Sequence, residues 1–286
     1  MNIIGRKKIW FAFSSLIIIA GLVMMMISGL NYGIDFTGGT VMEINLHKDV
    51  PNKEIRLITD SVDPNISINK IGEGKETVQI KTKKDMDNKA RTELFNQFKE
   101  KYSLVEDDLV KAEQIGPSIG NEIRNKAVIS VAIATVGMLI YISFRFEFSY
   151  GVAAVLALVH DVLVVLSFYA IFKIPVNSPF IAGMLTVVGY SINDTIVIFD
   201  RIRENMKTMK GKDFAGLADG SIKQTIVRSL NTSLTTLVAI TALYVVGVES
   251  IKDFTLPLIA GIATGTYSSI FIASPIWVIL KEKKIS

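Results

Sequence analysis

Residues 179–199 read PFIAGMLTVVGYSINDTIVIF. About 20 apolar residues at ~1.5 Å rise each cross the hydrocarbon core of a bilayer, so this run is long enough to span one. Asp194 is its only charge, and Asn193 stands beside it. An ionised Asp at the centre of a membrane helix costs roughly 2.5–3.5 kcal/mol on insertion scales, so it is normally paired, protonated or turned to water. Helical spacing puts Asp194 on one face with Gly183, Val187, Tyr190 and Ser191. Small and hydroxyl-bearing residues suit a neighbouring helix better than lipid. Asp194 is therefore a candidate for an ion or substrate pathway; the plainer alternative is a hydrogen bond that clips two helices together.

Similar runs lie on both sides. Ile9–Leu30, Ala127–Phe144, Tyr150–Phe172, Ser229–Val248 and Phe254–Leu280 bring the expected spans to six. The last carries Pro257 and Pro275, which predict a tilt or kink. The first follows Arg6-Lys7-Lys8. Its apolar stretch exceeds a signal-peptide core and shows no small-x-small cleavage site, so it reads as an uncleaved anchor. Composition agrees: 50% of the 286 residues are hydrophobic and 20% charged, with a mean hydropathy of +0.41, too apolar for an ordinary soluble domain.

The chain has no Cys and 2 His. That excludes disulfides, thiolate metal sites and a cysteine nucleophile, and argues against a multi-histidine metal site. No Walker A loop, GxSxG elbow, HExxH pair or GxGxxG turn is present. An ATPase or hydrolase reading has no residues to rest on, and neither an enzyme nor a cofactor is expected.

Charge predicts topology. With the N terminus inside, the cytoplasmic side receives Arg6, Lys7, Lys8, Arg145, the Lys and Arg residues from Arg201 to Arg228, and Lys281, Lys283 and Lys284; the short outer loops receive Lys173 and Lys252. This follows the positive-inside rule, with both termini cytoplasmic. Residues 31–125 hold 14 Lys and Arg against 17 Asp and Glu; the remainder holds 17 against 10. A basic excess beside apolar runs points to anionic lipid headgroups, not to nucleic acid.

The expected organisation has three parts: residues 1–30, with the first span; 31–125, an extracytoplasmic domain; and 126–286, a five-helix bundle. In the middle part Thr40–Leu46, Ile66–Ile71, Val78–Lys81 and Leu109–Ile115 read as strands, and Pro51–Val62 and Asp85–Lys101 as helices. The order βαββαβ predicts a ferredoxin-like α+β domain.

Other polar groups fall within or beside the spans. Arg228 opens the fifth in RSLNTSLTT, sharing a face with Asn231 or Thr232 and with Thr235. It could snorkel to headgroups or meet Asp194, whose helix runs antiparallel and reaches the same side. His160 and Asp161 lie mid-span in ALVHDVLVVL, as a proton relay or an internal hydrogen-bonded pair. Gly261, Gly265, Ser268 and Ser269 read as small-residue helix packing. His47 has no expected role.

GIDFTGGT (33–40), GPSIG (116–120), HD (160–161), GYSINDTIVIFDRIREN (189–205), RSLNTSLTT (228–236) and GTYSSIFIASP (265–275) together resemble the SecF family of bacterial protein-export membrane subunits, in its stand-alone form. The resemblance covers nearly the whole chain. It implies six spans with one extracytoplasmic domain after the first, pairing with SecD, kinship with the resistance–nodulation–division class, and assistance to the SecYEG channel in the bacterial cytoplasmic membrane. It further implies use of the proton-motive force to promote late steps of preprotein export. It carries the family's membrane Asp to Asp194 and its membrane Arg to Arg228. Tyr190, Asn193, His160, Asp161, Asn231 and Thr235 are expected as supporting or relay residues. A carboxyl group can drive such work only if its surroundings change, since burial disfavours the ionised form and a nearby arginine favours it. Two rivals remain: a proton-driven exporter of small molecules or lipids in the same class, and a purely structural translocon subunit.

Overall fold

The computed structural model describes residues 2–72, 74–145, 147–208, 213–247 and 249–285. Six of its helices are long and apolar enough to cross a membrane. They are formed by α1 (Lys7–Ser28), α5 (Pro117–Arg145), α6 (Phe148–Ile171), α7 (Ser178–Met206), α8 (Phe214–Val246) and the last span, made of α9 (Glu249–Ser268), a π turn (Ser269–Ala273) and α10 (Ser274–Ile285). Between α1 and α5 lie a one-turn helix α2 (Ile34–Thr37), β1 (Gly39–Asn45), α3 (Asn52–Thr59), β2 (Ser67–Ile71), β3 (Thr77–Thr82), α4 (Asn88–Tyr102) and β4 (Leu109–Ile115).

The small domain has the expected βαββαβ order. Its four strands run β2-β3-β1-β4, every neighbour antiparallel, with Met42 opposite Ile80 and Ala112. Alternation sends Met42, Ile44, Val78 and Ile80 to one face, where Ile55 of α3 and Leu94, Phe95 and Phe98 of α4 cover them. Asp87 caps α4 by accepting the Ala90 N–H at 2.8 Å. On the loop after α3, Asp63 is buried. The Thr82 hydroxyl and the Asn65 N–H, both donated to it, hold its carboxyl below the usual range.

The helices extend past their apolar runs. The helix α5 begins at Pro117, well before Ala127, and α7 continues past Phe199 to Met206. The largest correction concerns the fifth span. Asp213 caps α8 by accepting the Gly216 N–H at 2.8 Å, so Arg228 lies deep inside that helix and does not open it. Hydropathy marks where a helix becomes apolar; a cap marks where it starts. The last span breaks ahead of Pro275, whose ring cannot sit beneath the carbonyl four residues back. The π turn absorbs the misfit, and Ser274 Oγ donates to the Ser269 carbonyl at 3.0 Å.

The stretch 31–39 joins the two halves. Gly33 N–H donates to the Val176 carbonyl at 2.6 Å, and Val176 N–H to the Asn31 carbonyl at 2.8 Å. Asp35 accepts the Ser178 N–H at 2.8 Å, the first amide of α7, while Asn177 caps the same helix through Phe180 N–H at 3.1 Å. The turn then reverses through Gly38 and Gly39, with φ of 77° and 146°, into β1. It packs so closely on α5 that a Cβ at Gly120 would stand 2.7 Å from the Phe36 carbonyl oxygen. The GIDFTGGT and GPSIG motifs thus meet, and the central strand of the small domain is tied to both α5 and α7.

Candidate functional site

Midway through the bundle the polar residues turn inward. Asp194 is 2% exposed. Its Oδ2 accepts the Ser233 hydroxyl of α8 at 3.0 Å and the Thr266 hydroxyl of α9 at 3.3 Å; Thr266 also reaches Ser233 Oγ at 2.6 Å. One turn earlier on α7, Ser191 donates to Oδ2 of Asp161 on α6, which also accepts Ser268 Oγ of α9 at 2.8 Å. Oδ1 of Asp161 lies 3.0 Å from Nδ1 of His160. Nε2 of that ring lies 2.8 Å from Ser14 Oγ of α1. Thr195 of α7 and Ser269 share a hydroxyl contact of 2.8 Å.

Two buried carboxyl groups therefore sit in neighbouring hydroxyl clusters that together draw on five helices. The junction of α9 and its π turn is the hub: Thr266 serves Asp194, Ser268 serves Asp161 and Ser269 serves Thr195. The small residues expected there make this reach possible. A Cβ on Gly265 would lie 2.9 Å from Ser191 Cβ and 3.1 Å from its Cα, so the two helices touch backbone to backbone. Packing and hydrogen bonding are one feature at this contact.

Arg228 joins neither cluster. It is exposed and makes no ion pair among the described residues. Ser233, five residues along α8, is the side chain turned to Asp194, and five residues carry a helix face round by about 140°. Asn193, Asn231 and Thr235 are also exposed; Thr235 bonds back to the Asn231 and Thr232 carbonyls at 3.0 and 2.9 Å. Tyr190 crosses from α7 to α8, donating to the Thr232 carbonyl and meeting Thr236 Oγ1, both at 3.1 Å. His47, outside the bundle, pairs with Asp108 at 2.6 Å. Among the described residues no group of three or more His, Cys, Asp or Glu is placed to hold a metal.

Ser14, Thr195, Ser233 and Thr266 were not singled out by sequence. Thr195, Ser233 and Thr266 each lie one or two residues from a position that was, and Ser14 lies near none; single hydroxyls on a membrane helix do not declare which neighbour they face.

Comparison with known proteins gives the geometry a family. Residues 95–283 match the family described as protein export membrane protein SecD/SecF, C-terminal, and residues 23–50 match the SecD/SecF GG motif. A protein translocase subunit SecF of Sebaldella termitidis is 39% identical over 291 residues, covering 99% of this chain and 93% of that protein. A SecDF of Bacillus subtilis is 36% identical; the match covers 98% of this chain but 38% of that longer protein. Among solved structures, a Thermus SecDF, described as a translocon-associated membrane protein, superposes with a TM-score of 0.85 at 35% identity. A SecDF in a super-membrane-facing form gives 0.75 at 33% identity. This chain spans 39% of each of those two.

Proposed function

The chain belongs to the SecD/SecF family of protein-export membrane proteins, and on that premise we propose that it is a proton-coupled accessory subunit of the Sec translocase. Its work is transport in protein export, with no covalent chemistry assigned to it. It pairs with SecD, assists the SecYEG channel in the bacterial cytoplasmic membrane, and keeps both termini in the cytoplasm. The α+β domain then stands outside, where it can meet the exported chain, and the basic inner loops rest on anionic lipids.

One observation carries the reading: a carboxyl group 2% exposed inside a membrane span, with hydroxyls as its recorded partners. Such a group is expensive unless it has a task. The task proposed is to take up and release a proton. Each charge moved through 100 mV supplies about 2.3 kcal/mol. Release is favoured when Asp194 nears Arg228, which stays charged throughout. Because Arg228 stands on another face of α8, that approach requires α7 and α8 to shift against each other. A shift of α7 reaches the outer domain through the Asp35–Ser178 hydrogen bond and the Gly33–Val176 bridge.

The exposed polar side chains support the partner assignment. Asn193, Arg228, Asn231 and Thr235 would face lipid in this chain alone, which is costly. Spans of SecD laid on that surface would cover them.

The test is preprotein translocation into membrane vesicles holding this chain with its partners, with and without an imposed proton gradient. Asp194→Asn keeps the shape and an acceptor oxygen. At equal complex recovery, the gradient's stimulation is lost in the variant. If native and variant respond alike, Asp194 is a structural hydrogen bonder and the proton acts elsewhere.

A further inference from the structure

The span α5 touches the rest of the bundle at two heights and stands off between them. Near its start, a Cβ on Gly120 would lie 2.7 Å from the Phe36 carbonyl oxygen; further along, a Cβ on Gly189 of α7 would lie 3.9 Å from Cε of Met138. Of the six spans, α5 is the least buried. Between the two contacts is a cavity of about 320 Å³. Ala127 and Val131 of α5, Val162 and Leu166 of α6, and Ile181 and Leu185 of α7 line it.

Among the described residues that line this cavity, Arg124 alone is charged. It stands three residues before the apolar run of α5, at the end of the cavity nearer the small domain. It is exposed, and no ion pair holds it among the described residues. Glu122, the nearest acid in sequence, is taken by Lys126 at 2.7 Å. The cleft is thus apolar along its length and cationic at its mouth.

Size and depth narrow the occupant. On α7 the lining runs from Phe180 to Val188, roughly 12 Å of helix, close to the ~15 Å of hydrocarbon in one leaflet. Water does not suit an apolar cavity without polar partners. A further helix does not fit either, because a single turn with its side chains takes up roughly 400 Å³. One hydrocarbon chain does fit, and an arginine at headgroup level attracts an anionic phosphate, which its planar fork can hold by two hydrogen bonds. We propose that the cleft between α5, α6 and α7 binds an anionic phospholipid from the leaflet on the small-domain side, with one acyl chain between the helices and the phosphate on Arg124.

The bound chain acts as a spacer. The helices α5 and α7 both hold the stretch 31–39, α5 through Gly120 and α7 through the Asp35–Ser178 hydrogen bond. The lipid therefore sets the distance between the two supports of the small domain. This goes beyond the proton-coupled reading and does not rest on it.

The experiment uses the full chain in nanodiscs of phosphatidylcholine. A trace of phosphatidylglycerol carries a diazirine midway along one acyl chain, and the labelled peptides are mapped by mass spectrometry after irradiation. Label should concentrate in 124–131 and 181–188. A phosphatidylcholine probe with the same chain should label these peptides roughly fivefold less, and Arg124→Gln should bring phosphatidylglycerol down to that level. Arg124→Lys should keep most of the signal. Ala127→Trp, which fills the cleft from α5, should remove label from 181–188 with either probe. Equal labelling by the two probes, unchanged in Arg124→Gln, would make the lipid ordinary boundary lipid and overturn the site. Label at 181–188 that vanishes when the chain is assembled with its partner subunits would give the cleft to a partner side chain and overturn it as well.

Discussion

Asp35 is the residue on which communication between the two halves can be measured. It accepts the first amide of α7 at 2.8 Å across 143 residues of sequence. Asp35→Ala removes one capping acceptor. Loss of such a cap costs about 0.5–2 kcal/mol, typically ~1. The remaining ties bound the damage, since Asn177 still holds Phe180 N–H and the Gly33–Val176 and Val176–Asn31 bonds are untouched. A loss of about 1 kcal/mol opens the first turn of α7 roughly fivefold more often. Hydrogen exchange read by mass spectrometry on the reconstituted protein should show that acceleration in peptides covering 174–184 and no change in peptides covering 189–199. Asp35→Asn, which keeps an acceptor oxygen, should stay near the parent. Export should lose part of its gradient stimulation in Asp35→Ala although Asp194 is intact. Unchanged exchange at 174–184 would refute the capping role and with it this route between domain and bundle.

The carboxyl of Asp63 is held below the ordinary carboxylate range by Thr82 and Asn65, so its contribution is present above about pH 4 and lost as pH falls through the lower folded value. Acid unfolding of the small domain, followed by hydrogen exchange at β3, should therefore begin at higher pH in Thr82→Val. Gly265→Val drives a side chain into Ser191 and should destabilise the bundle by about 1–3 kcal/mol, read as a lower Tm in detergent; an unchanged Tm would mean that α7 and α9 are not packed backbone to backbone. Thr266→Val removes one of two recorded donors to Asp194 and should alter the pH dependence of gradient-stimulated export more than the yield of assembled complex. Equal losses in both would make Thr266 a packing residue.

Much of this fold is written in residue patterns that need no partner to interpret. Met42, Ile44, Val78 and Ile80 alternate, and Leu94 and Phe98 recur one turn apart, so the βαββαβ domain follows from local periodicity. The buried side of α7 was legible for the same reason: Gly183, Val187, Ser191 and Asp194 recur at helical spacing and are buried, while Tyr190, expected on the same face, is half-buried. The start of α8 was not, because residues 214–228 mix charges with apolar positions and an apolar run begins only afterwards. Reading Arg228 as the opening of the fifth span followed from that, and so did the alternative in which it meets Asp194 instead of snorkelling. The structure gives that place to Ser233 on another face. The link from Asp35 to Ser178 has no local signature; only the fold brings two ends 143 residues apart together.

The π turn at Ser269–Ala273 separates two tasks along one helix. Before it and at its first residue stand the hydroxyls of Thr266, Ser268 and Ser269; after it Trp277 is wedged between Tyr150 and Phe214, and Lys281 reaches Glu147 at 2.6 Å. A π turn holds one residue more than the α register, equivalent to about 100° of winding. If that residue were absorbed, either the hydroxyls would swing off the carboxyl groups or the tryptophan would leave its socket. The helix therefore behaves like a shaft with a slipped spline. Its anchor can stay seated while the toothed part is indexed by one position, and a one-residue deletion there would lock both ends into a single phase.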